Sequence, residues 1–84
     1  MRIESAEINR KTLAVKFVVA VDTEKEERVL QDFAERNGLT YHRNLSSCFG
    51  LHKYCDSEIS ARVLYGQLGD LVVSFHVYEG WEPM

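Results

Sequence analysis

Hydrophobic and polar positions change period several times along this chain, and each change marks an element. Residues 12–21 (TLAVKFVVAV) are β-branched and aromatic with few polar interruptions, the pattern of a strand buried on much of both faces. A helical period follows. Val29, Leu30, Phe33, Ala34 and Asn37 recur at that spacing, and Thr23 with Glu26 three residues on makes a capping box in front of them. Asn37-Gly38 supplies a left-handed stop, so the spacing predicts a helix over 24–37. Residues 39–44 (LTYHRN) and 48–55 (CFGLHKYC) predict a hairpin turning at Leu45-Ser46-Ser47.

Asp56 or Ser57 then caps a second predicted helix. Ile59, Val63 and Gly66 form one stripe of it, Ala61, Leu64, Tyr65 and Leu68 lie beside them, and Gly69 is its expected end. Residues 71–78 (LVVSFHVY) predict a last strand, followed by the short tail Gly80-Trp81-Glu82-Pro83-Met84. Residues 12–78 therefore read β-α-β-β-α-β, an α+β chain with the ferredoxin-like order: a four-stranded antiparallel sheet with both helices on one face. Residues 1–9 add an N-terminal strand. A hairpin around Asn9-Arg10-Lys11 would join it to strand 12–21, yet the ferredoxin-like sheet already flanks that strand on both sides. The sequence leaves this placement open.

At 84 residues, 45% of them hydrophobic and 27% charged, one domain spanning 1–84 is expected. Its core is thin, worth roughly 3–5 kcal/mol, so dimerisation is a natural supplement. No apolar run reaches the ~18 residues that cross a bilayer, and no leader pattern opens the chain, which points to a cytoplasmic protein. Cys48 and Cys55 lie roughly 23 Å apart if one strand carries both, beyond a disulfide's ~7 Å Cα limit. Free thiols are expected.

The net charge of −3 is unevenly spread. Residues 22–37 hold six acids and three bases, while no acid occurs from Arg36 to Cys55. The acidic helix offers Glu24, Glu27, Asp32 and Glu35 as a one-signed surface. Helix-dipole preference and the pairs Glu24–Arg28 and Asp32–Arg36 account for the same residues without a partner.

Strand alternation sorts the remaining polar groups. Leu13, Val15, Phe17, Val19, Val21, Leu39, Tyr41, Phe49, Leu51, Leu71, Val73, Phe75 and Val77 should face the helices. Lys16, Val18, His42, Cys48, His52, Tyr54, Ser74, His76 and Tyr78 should share the opposite, open face. All three histidines would then gather on one surface.

Metal binding by His42, Cys48, His52 and Cys55 is opposed by geometry, because Cys48 and His52 stand roughly 13 Å apart along a regular strand. No metal or cofactor is expected. Cys48 as a nucleophile lacks a helix start or carboxylate to activate it, and the five glycines form no phosphate-cradling loop, so no enzyme is expected either. The element order is shared with the RNA-recognition motif. Phe49-Gly50-Leu51-His52-Lys53-Tyr54 resembles that module's third-strand signature at Phe49, Gly50 and Tyr54, and departs from it at Ser47, Cys48 and Leu51.

By subtraction the sequence points to a non-enzymatic module that binds another protein through Glu24, Glu27, Asp32, Glu35, Tyr54, Tyr78 and Trp81. A small regulator or inhibitor encoded by a phage or mobile element, acting on a host nucleic-acid-handling machine, fits this description. A homodimer is compatible with it. The alternative is a ligand or nucleic-acid binder using Lys16, His42, Arg43, His52, Lys53 and His76. A third reading is a metal-binding His/Cys hairpin.

Overall fold

The computed structural model describes residues 1–45 and 47–80, with Leu45 and residues 75–80 as backbone only. In chain order the elements are β1 (Arg2–Ile8), β2 (Ala14–Ala20), α1 (Glu24–Arg36), β3 (Thr40–Leu45), β4 (Cys48–Tyr54) and α2 (Glu58–Gly80). The strands form one sheet in the order β1-β2-β4-β3, and every neighbouring pair is antiparallel. Val15, Phe17, Val19, Phe49 and Leu51 point from the central strands to one side. There they meet Leu30, Phe33 and Ala34 of α1 and Ala61, Leu64 and Leu68 of α2 in one buried cluster. The α+β architecture, with both helices on one face, is therefore as expected.

The ferredoxin-like order is not. Residues 71–78 form no strand; they continue α2, which runs through Gly69 without stopping. The expected strand rested on β-branched composition. Leu64, Leu68, Leu71 and Val72, however, keep the helical spacing and lie on or against the core. Side-chain burial overrides β-propensity there. The edge beside β2 is also taken. β1 pairs with β2 from Arg2↔Ala20 to Ile8↔Val15, with a bulge between Ile3 and Ser5. The N-terminal strand thus fills the place that the last strand was expected to occupy. Val73, expected to face the core, is 61% exposed as a consequence.

The β1–β2 turn is built on Asn9, whose side-chain oxygen accepts from the backbone N–H groups of Lys11 (2.9 Å) and Thr12 (3.1 Å). Leu13 closes it in the left-handed region at φ 63°. Helix α1 starts on the expected capping box, with Glu26 N–H donating to Thr23 Oγ1 at 3.1 Å. It ends at Asn37 and Gly38, the latter at φ +68°, where Leu39 N–H donates back to the Ala34 carbonyl at 2.8 Å.

Glu26 does more than cap. Its Oε1 accepts from the N–H groups of Asp22 (2.6 Å) and Thr23 (3.2 Å), and its Oε2 pairs with the buried Met1 ammonium. Burial opposes its charge, but those hydrogen bonds and the ammonium together hold the carboxyl below its ordinary value. Ionised Glu26 therefore stabilises the fold above the ordinary carboxylate range, and that contribution is lost as pH falls through the lowered pKa. We expect Glu26→Gln to cost about 3 kcal/mol in urea unfolding at pH 7. Its stability should also fall less steeply than the native protein's below about pH 4.5.

Candidate functional site

Two surfaces gather unusual side chains. The first is the open sheet face. Lys16 lies opposite His52 across β2–β4, and His42 lies opposite Gly50 across β3–β4. The rings of His42 and His52 stack, with centroids 4.8 Å apart and planes at 16°. Gly50 makes this possible. A Cβ there would stand 2.8 Å from the His42 imidazole and 3.2 Å from Asn44 Nδ2, so the ring lies across a position only glycine leaves empty. Tyr54, 76% exposed, continues the face along β4, and Glu7 of β1 lies opposite Lys16.

Burial, then the neighbouring positive charge of His42 and Lys16, holds the His52 imidazole below its ordinary value. Protonation therefore favours the unfolded chain, which takes up the proton first as pH drops below about 6.5, and stability falls through that window. The urea-unfolding free energy should decrease from pH 7.5 to 5.5, and His52→Gln should flatten that dependence. Gly50→Ala tests the stack itself. The exposed His42 side chain can swing aside at small cost, so the fold should survive while His52 titrates nearer its ordinary value by NMR.

Of the other residues named for ligand or nucleic-acid binding or for the open face, several are engaged or placed elsewhere. Arg43 sits 5.2 Å over the Phe49 ring and pairs with Glu27 at 3.1 Å on the helix side. Lys53 donates to the Asn37 carbonyl at 2.8 Å, where a cation suits the C-terminal end of α1. Ser74, His76 and Tyr78 belong to α2 and not to the sheet, and Trp81 lies outside the described residues. Phe49 is buried under Tyr41, ring centroids 5.1 Å apart, so it is no platform for a base. The Tyr41 hydroxyl is buried with no hydrogen-bond partner among the described residues, and burial, with Glu27 nearby, pushes its pKa up to about 12.

Cys48 is half-buried at the start of β4, Cys55 is buried just past its end, and both thiols are free. Among the described residues, no three His, Cys, Asp or Glu side chains converge as a metal site. On α1, Glu24, Asp32 and Glu35 are exposed, while Glu27 is occupied by Arg43 and Glu24 lies 3.9 Å from Arg28. The acidic face is partly neutralised by its own fold.

The second surface is the outward side of α2, which sequence reasoning passed over. At about 100° per residue, Ile59, Arg62, Val63, Gly66, Gly69, Asp70 and Val73 share the side opposite Ala61, Leu64 and Leu68. A solvent-facing helix side is ordinarily polar. Here Ile59 is 75% exposed and Val63 53%, alongside Val73. A Cβ at Gly66 or Gly69 would meet nothing within 4 Å. Nothing within the described fold requires glycine at either position, although each costs a helix about 1 kcal/mol relative to alanine. The signal was present in the stripe Ile59, Val63 and Gly66, but ending the helix at Gly69 cut it in half.

A third feature is an apolar cleft of about 210 Å³ between β1 and α2, lined by Ala6, Ile8, Phe17, Ala61 and Tyr65. Glu58 bridges its rim, 3.5 Å from Arg10 and 3.8 Å from Arg62. It is smaller than the ~300–1,000 Å³ of ordinary ligand pockets. No helix among the described residues is long and apolar enough to cross a membrane. Comparison with protein-family models, with curated proteins and with solved structures finds no match.

Proposed function

We propose that this chain is a protein-docking module whose contact surface is the outward side of α2. The observation that carries the reading is the exposure of Ile59, Val63 and Val73 around two glycines on the helix side that turns away from the core. Apolar side chains so placed gain by covering one another, and glycines between them let a second backbone come close. The acidic side of α1 is a secondary surface. Glu24, Asp32 and Glu35 remain exposed for a basic partner, which keeps the narrower role of a regulator acting on a nucleic-acid-handling machine within the proposal.

A photo-crosslinking residue at position 59 tests the reading in living cells. A discrete covalent protein adduct is expected, with none from the same residue placed at exposed position 12, in the β1–β2 turn. Gly66→Leu should abolish it. No adduct from position 59, or one that ignores Gly66→Leu, sinks the reading.

The stacked imidazoles support a second reading, in which Lys16, His42, His52 and Tyr54 hold single-stranded nucleic acid by base stacking and phosphate attraction. Fluorescence anisotropy with a labelled oligouridine should then show binding that weakens with salt and drops about tenfold in Tyr54→Ala, about the loss of one stacked base. Binding absent at low salt removes this alternative.

A further inference from the structure

We infer that the partner of the α2 surface is a second copy of this chain, held by an antiparallel α2–α2 pair about a two-fold axis at Gly66. The inference rests on the docking reading above and names its partner. A two-fold interface must be self-complementary, because each residue meets the one related to it by the axis. An antiparallel pair centred on one position brings together residues equidistant from it. Counting outward from Gly66 gives Arg62 opposite Asp70 and Ile59 opposite Val73. The first pairing joins opposite charges, and the second joins two exposed apolar side chains. At the centre Gly66 faces Gly66, and Val63 meets Gly69.

Each element of that register answers a feature the single chain leaves unexplained. The glycines sit where the axis demands the closest backbone approach, and a side chain there would meet nothing in the single chain. Arg62 is 77% exposed and only 3.8 Å from Glu58 at its nearest, so its guanidinium can turn to a carboxylate across the axis. Asp70 is exposed on the same side of the helix. Two neighbouring registers along this stripe lack those pairings. Centring on Val63 sets exposed Ile59 against polar Gln67 and gives Arg62 no acidic counterpart. Centring on Gly69 sets Arg62 against His76 and buries no pair of opposite charges. The 23-residue length of α2, about 35 Å of helix, extends well to either side of the axis.

Analytical ultracentrifugation of the full chain over a concentration series tests this directly. The native protein should sediment as a concentration-dependent dimer, and Gly66→Leu should weaken self-association at least tenfold with its circular dichroism spectrum kept. Arg62→Asp and Asp70→Arg should each weaken it at least tenfold, and the double swap should restore it to within about threefold of native. A monomer at every concentration overturns the dimer, and so does a dimer indifferent to Gly66→Leu. Single swaps that weaken association without rescue in the double variant overturn the register. The crosslink from position 59 separates the two levels of argument: an adduct of twice the chain mass supports the dimer. An adduct with a different protein overturns it and leaves the docking module standing, and no adduct removes both.

Discussion

The Glu26 carboxylate gathers three segments of the chain at one place. One oxygen closes the β2–α1 loop through the N–H groups of Asp22 and Thr23, and the other meets the Met1 ammonium at the head of β1. The entry to α1, the end of β2 and the start of β1 are thereby fixed at a single buried point. Desolvating a carboxylate is costly, and it is tolerated only because each of its oxygens is met by donors. With β1 paired along one side of β2 and β4 along the other, the sheet has no free place beside β2 for any later segment.

That constraint explains the fate of residues 71–78. Their composition suits a strand, but the edge they would join is filled by β1. As a helix they keep Leu71 and Val72 packed against the core while the opposite side of α2 is left exposed. The same arrangement extends the outward stripe of Ile59, Val63 and Gly66 through Gly69 to Val73. A strand in this position would have hidden Val73 and left the glycines of α2 as an ordinary helix end.

Glycine has two different uses in the candidate surfaces. Gly50 makes room within the chain, letting His42 lie across β4 and stack on His52. Gly66 and Gly69 leave room that the chain itself does not fill. The first is a local packing device, and the second leaves open space on the outward side of α2. A shared residue type thus points inward in one place and outward in the other, and only the positions of surrounding atoms separate the two cases.

The sequence by itself determined what short-range physics controls. The capping box at Thr23 and Glu26, the Asn37-Gly38 stop, the 39–55 hairpin and the alternation that puts Lys16, His42, His52 and Tyr54 on one face all follow from spacings of a few residues. It also exposed the question of residues 1–9 without answering it. Tertiary structure decided which strand lies beside β2: β1 takes that edge, and Met1 reaches Glu26 of α1, a contact that no sequence spacing announces. It decided that Arg43 and Lys53 serve Glu27 and the end of α1, since side-chain partners from distant elements have no sequence spacing to announce them. And it decided the length of α2, where burial of Leu68, Leu71 and Val72 outweighed both a glycine and a run of strand-forming residues.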